Sequence, residues 1–159
     1  MTRTRRWPAW ALSTLLCAAA TAQAQTGASA PCPDAADLTP AHLYGLWQIS
    51  LWPDGGEETT PASRGALLFE RHPEHPGSVR GELRRTAAGQ DLSAQVSGDV
   101  TDGVFNLDES DDGVAMSAVW AGEPVDCGRE IRGTRRPAEG RPDSEAVLRF
   151  RLHKLPGGR

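Results

Sequence analysis

The chain has 159 residues, of which 38% are hydrophobic and 24% charged, with 17 basic side chains against 21 acidic ones; its size is that of a single domain. A formal charge of −4 lacks the basic excess of a nucleic-acid-binding surface. Past residue 24 no apolar run approaches the roughly 20 residues of a membrane-spanning helix, so nucleic acid and a membrane span are both excluded as expectations.

Residues 1–24 have the form of a cleavable secretory signal. Arg3, Arg5 and Arg6 precede an apolar stretch over residues 7–20, and Ala22-Gln23-Ala24 supplies an A-x-A site, with cleavage expected after Ala24. The Arg5-Arg6 pair admits twin-arginine export, but Trp7-Pro8-Ala9 continues that motif poorly and the general secretory route is the default. Leu16 stands before Cys17 where lipoprotein processing wants a small residue, so no lipid anchor is expected. The leader removes three of the 17 basic residues and none of the 21 acidic ones, which moves the formal charge to −7. The mature protein is expected in the periplasm or outside the cell.

Two cysteines follow the leader, Cys32 and Cys127, and in an oxidising compartment two have one intramolecular pairing. There is no C-x-x-C spacing to depress a thiol pKa, so the expected bridge is structural rather than redox-active. Residues 25–43 form a lead-in, rich at first in Ala, Pro, Ser, Thr and Asp, with little to bury. At its end Thr39 is placed to cap, and Pro40 to open, one helical turn that feeds the first strand.

From residue 44 onward the pattern is that of half-buried strands, apolar at every second position. Strand one, residues 46–52, turns Trp47, Ile49 and Leu51 to one side. Strand two, residues 65–72, offers Leu67 and Phe69. Strand three offers Val79, Gly81 and Leu83, with Arg80, Glu82 and Arg84 outward. Strand four, residues 90–98, offers Leu92, Ala94 and Val96. Thr101-Asp102-Gly103 turns the chain into strand five, with Phe105 and Leu107, the Asp-Gly pair being a strong hairpin signal. After Ser110-Asp111-Asp112-Gly113, strand six carries Val114, Met116, Ala118 and Trp120. Strand seven, residues 125–134, has Cys127, Arg129 and Ile131 on one parity, the least clear face in the chain. Strand eight, beyond a polar loop over residues 135–144, offers Leu148, Phe150 and Leu152, with Arg149 and Arg151 outward.

Connections of mostly two to five residues require antiparallel neighbours, because a parallel crossover takes a dozen or more. The expected fold is all-β, an eight-stranded antiparallel up-and-down β-barrel over residues 44–159, since closure removes exposed sheet edges and one apolar face per strand suits one enclosed core. A two-sheet sandwich with Greek-key crossings competes, but needs a longer connection, for which only residues 53–64 and 135–144 serve.

At Leu43-Tyr44-Gly45-Leu46-Trp47 the chain resembles the calycin-like barrels: lipocalins, avidins and the small bacterial inhibitors of secreted metalloproteases. The resemblance implies that Gly45 allows close approach at the barrel base and that Trp47 plugs the lumen. Leu38-Thr39-Pro40-Ala41-His42-Leu43 is similar to the run before strand one in the protease inhibitors, whose N-terminal segment enters the enzyme cleft, although those proteins have a cysteine soon after strand one and this chain has none there. A cysteine ahead of the G-x-W, Gly77-Ser78-Val79-Arg80-Gly81, and Trp120 ahead of Cys127 resemble avidins. Gln48-Ile49-Ser50-Leu51 stands where their biotin-holding Asn and Ser belong, so biotin is not implied. The lipocalin likeness implies an Arg stacked on the plug Trp, with Arg149 and Arg151 as candidates.

No chemistry is evident in the remaining motifs. His72-Pro73-Glu74-His75 has two imidazoles but no third ligand, and Pro73 prevents a helix that would align them. Asp108-Glu109-Ser110-Asp111-Asp112-Gly113 partly matches a calcium loop, but its twelfth position is Val119 rather than a Glu. Arg132, Arg135, Arg136 and Arg141 are a cluster that could meet an anionic ligand, but Glu130, Glu139 and Asp143 make the region a mixed solvated face. Nothing brackets a nucleophile, a His and an orienting acid, so no enzyme, metal or cofactor is expected. The expected function is a non-catalytic binding protein that holds a small apolar or amphipathic ligand in the lumen against Phe69, Leu83, Phe105, Met116 and Trp120. The alternative is a protein-binding module, such as an inhibitor of a secreted or periplasmic protease, acting through residues 25–43.

Overall fold

The computed structural model describes residues 31–141 and 146–157. The signal segment, the start of the lead-in and the tip of the 135–144 loop lie outside the described residues. Eight strands run in chain order: β1 Gly45–Pro53, β2 Ser63–Arg71, β3 Val79–Ala87, β4 Gln90–Thr101, β5 Val104–Ser110, β6 Ala118–Val125, β7 Glu130–Pro137 and β8 Leu148–Lys154. Each pairs antiparallel with the next, and β1 pairs with β8 through partners such as Ile49 and Leu152, so the sheet closes into an up-and-down barrel. The Greek-key alternative falls with that order.

The alternation read from the sequence sets the inside of the barrel. Trp47, Ile49, Leu51, Leu67, Phe69, Val79, Leu83, Val96, Phe105, Leu107, Trp120, Ile131, Phe150 and Leu152 are all buried in one cluster. Their parity partners in β3, Arg80, Glu82 and Arg84, face solvent. Five rings form a connected column through the core: Trp47 to Phe69 at 6.3 Å between centroids, Phe69 to Phe105 at 6.1 Å, Phe105 to Phe150 at 6.3 Å and Phe150 to Trp120 at 5.0 Å. Edge-on and tilted geometries of this kind suit the ring quadrupoles.

Three strands differ from the sequence reading, the first being strand four, where Leu92 keeps the inward parity but is exposed at the rim. Strand six begins at Ala118 rather than Val114, because the Asp112 carboxylate accepts the backbone N–H groups of Val114 and Ala115, both at 2.8 Å. Those donors are then lost to the strand ladder. Strand seven begins at Glu130, because Asp126 and Cys127 have positive φ and make a turn.

The base of the barrel is closed by the lead-in. Helix α1, Pro40–Leu43, has Thr39 at its N-cap and Pro40 at its first position. The buried Trp47 indole donates to the Leu43 carbonyl at 2.7 Å. Cys32 and Cys127 form a disulfide that ties the lead-in to the β6–β7 turn, where the Leu38 side chain lies against Gly128. Across the outer surface, the loop after β1 sends Glu58 to ion-pair with Arg132 and Arg151. Trp52 faces outward by parity, yet it is buried.

Candidate functional site

The end of the lumen away from α1 is polar. In β5 the inward parity runs Phe105, Leu107, Glu109; in β7 it runs Ile131, Gly133, Arg135; in β3 it runs Leu83, Arg85. One further step of each alternation therefore carries an ionic side chain into the barrel. Glu109 sits opposite Val96 on one side and the small Ala118 on the other. Trp120 is paired with Arg135 across β6 and β7.

The Glu109 carboxylate is about 1% exposed. Arg135 donates to it twice, from Nε to Oε2 at 2.7 Å and from Nη2 to Oε1 at 3.1 Å. The Trp120 indole donates to the same Oε2 at 2.8 Å, and the Arg135 guanidinium lies 5.9 Å from the Trp120 ring centroid, within cation–π range. This is the bidentate fork that fits guanidinium to carboxylate. Arg85 Nη2 stands 3.9 Å from Glu109 Oε1, close enough for attraction and too far for a hydrogen bond.

Two guanidinium groups thus face one carboxylate. Burial lowers the Arg85 pKa below the ordinary arginine value, Glu109 and Asp111 oppose that shift, and Arg135 adds to it; a guanidinium nevertheless stays charged at neutral pH. Ser63, inward on β2, is also buried at this end, and its Oγ has no hydrogen-bond partner. Gly65 explains how β3 brings Arg85 in so closely. A Cβ built on Gly65 would lie 2.0 Å from the Arg84 carbonyl oxygen and 2.6 Å from Arg85 Cα. Both oxygens of Glu109 are engaged by guanidinium or indole donors.

Of the lumen residues read from the sequence, Phe69, Leu83, Phe105 and Trp120 are together inside the barrel. Met116 is not. It lies in the loop between β5 and β6, half exposed, beside Val114, His72 and Pro73 in an outer cleft of about 470 Å³. The Asp112 cap that delays β6 also carries Met116 out of register with the inward face. Gly45 is buried with φ 116° at the start of β1, and Trp47 is sealed above α1.

The cation over Trp47 is Lys154, with Nζ 5.6 Å from the ring centroid. Arg149 and Arg151 face outward, toward Asp54 and Glu58. The arginine cluster read around strand seven is divided by the barrel wall. Arg132 joins Glu58 and Glu130 outside, Arg141 pairs with Asp111, and Arg135 is inside. His72 and His75 stack at 4.6 Å, with His72 Nδ1 accepting the backbone N–H groups of Glu74 and His75. Among the described residues, no group of three or more His, Cys, Asp or Glu is placed to hold a metal ion. The calcium-like run is split, because Glu109 turns inward while Asp112 accepts from Val114, Ala115 and the Ser110 hydroxyl.

Arg85, Glu109, Arg135 and Ser63 were not legible as a site from the sequence, although each follows from extending its strand's alternation. Among the described residues, no helix is long and apolar enough to cross a membrane. No protein-family model matches the chain, and no curated protein matches it.

Proposed function

We propose that this chain is an exported, non-catalytic binding protein that holds a small amphipathic ligand at the Glu109 end of its barrel lumen. The observation that carries this reading is the surplus of cationic charge buried there, with an unpartnered hydroxyl on the same inner wall. A barrel serving only as a scaffold has no need of it, because buried ionic groups replaced by well-packed hydrophobic ones often leave a protein equally or more stable. The column from Trp47 to Trp120 occupies much of the interior, so the ligand is small and confined to the polar end rather than the length of the lumen. The Cys32–Cys127 bridge fits an oxidising compartment.

Native mass spectrometry of the mature protein, isolated without denaturation from its own compartment, tests this reading. A retained mass that is released on unfolding supports it. A bare chain that also fails to bind amphipathic probes refutes it.

A second reading, a module that binds a secreted or periplasmic protein through residues 25–43, draws on a different observation. Residues 31–37 are exposed and yet anchored by the disulfide, which presents them to a partner with little ordering cost. Deleting residues 25–30 without loss of protease inhibition would remove it.

A further inference from the structure

We infer that the ligand taken by the polar end of the lumen is a small aliphatic carboxylate, held by Arg85 and Ser63; this rests on the lumen-binding reading above. Arg135 is matched to Glu109 by two hydrogen bonds. Arg85 is not matched. Its side chain is about 12% exposed, and its one ion-pair partner among the described residues is the same carboxylate at 3.9 Å. Asp111, the other carboxylate that acts on Arg85, is paired with Arg141, so two guanidiniums facing Glu109 leave a single positive charge, which a monoanion neutralises. A phosphate dianion would overshoot that charge and meet Glu109 at close range.

The hydroxyl is a second and independent observation. Ser63 is about 3% exposed and its Oγ has no partner, a state that costs free energy unless something fills it. In the β2–β3 register Gly65 faces Arg85 and Ser63 faces Ala87, so Ser63 and Arg85 are diagonal neighbours on one wall, at a separation long polar side chains span. A carboxylate between them accepts from the guanidinium with one oxygen and from the hydroxyl with the other. The side chains nearest in register are Leu51, opposite Ser63, and the half-exposed Leu92, opposite Arg85. A short hydrocarbon tail therefore meets hydrocarbon.

The test is titration of the disulfide-intact mature protein with hexanoate, hexanamide and inorganic phosphate, followed by calorimetry and by amide NMR shifts, in the wild type, Ser63→Ala and Arg85→Gln. Saturable hexanoate binding is expected, with hexanamide and phosphate at least tenfold weaker. Ser63→Ala is expected to weaken hexanoate roughly three- to tenfold and Arg85→Gln by more. Ser63→Ala removes only an unpartnered hydroxyl, so it decides the matter even if Arg85→Gln does not fold. Equal binding of hexanamide and hexanoate, unchanged in Ser63→Ala, overturns the carboxylate assignment and leaves the lumen-binding reading standing. Absence of hexanoate binding, in a protein that retains a ligand of another class when isolated, also overturns the assignment alone. Absence of hexanoate binding in a protein isolated bare overturns both.

Discussion

Glu109 accepts three hydrogen bonds from two side chains in an interior that is otherwise almost wholly apolar, and it is the partner of both inward arginines. Removing it by Glu109→Ala leaves Arg135 and Arg85 as uncompensated buried cations. The expected loss is about 3–5 kcal/mol, to be read from urea unfolding monitored by tryptophan fluorescence, with the Trp120 environment changing in the native baseline. A loss under about 1 kcal/mol would mean that water already reaches the cluster. Asp112 acts at the same scale outside the barrel. Its carboxyl is held below the usual aspartate range, first by the Val114 N–H and then by that of Ala115, with help from the Ser110 hydroxyl. Since the folded pKa is depressed, this cap is intact above the unfolded value of about 4 and is lost as pH falls through the folded one. The Val114 and Ala115 amide shifts should therefore titrate together below pH 4, and Asp112→Asn should abolish that titration.

At the scale of the strand, alternation sets the inward face where the backbone hydrogen bonds form a ladder, except at the rim, where Leu92 has inward parity and is exposed. The two misplaced boundaries both arise where a side chain or a turn takes those donors first. Val114 and Met116 continue the apolar alternation on paper, but Asp112 claims the N–H groups of residues 114 and 115. Cys127 and Arg129 share a parity with Ile131, but positive φ at Asp126 and Cys127 makes that stretch a turn. Between β2 and β3 the close approach at Gly65 is a second element-scale feature. Gly65→Ala forces a methyl group onto the Arg84 carbonyl, for which backbone must move, and is expected to cost about 1–3 kcal/mol in urea unfolding. Gly77, where a Cβ meets nothing within 4 Å, is the control: Gly77→Ala should be neutral or stabilise by about 0.4–1 kcal/mol.

For the whole molecule, closure between β1 and β8 joins the first strand to the last, and the disulfide spans a sequence separation of 95 residues. The chain-entropy model gives a bridge over so long a loop about 4–5 kcal/mol. Cys32→Ser combined with Cys127→Ser should lower unfolding stability by up to that amount while the far-UV spectrum stays that of a β-protein, because the pairing of all eight strands is independent of the bridge. Unchanged stability would place the constraint in a lead-in that is already fixed in the unfolded chain. The amino-acid pattern by itself determined the strand number, the antiparallel order, the disulfide and most inward residues, since period two and turn chemistry are local and act within a few residues. Only closure of the sheet decided that Arg85, Glu109, Arg135 and Ser63, contributed by four different strands, share one end of the interior. Parity tells which way a side chain points within its own strand, and carries no information on what faces it from across the barrel.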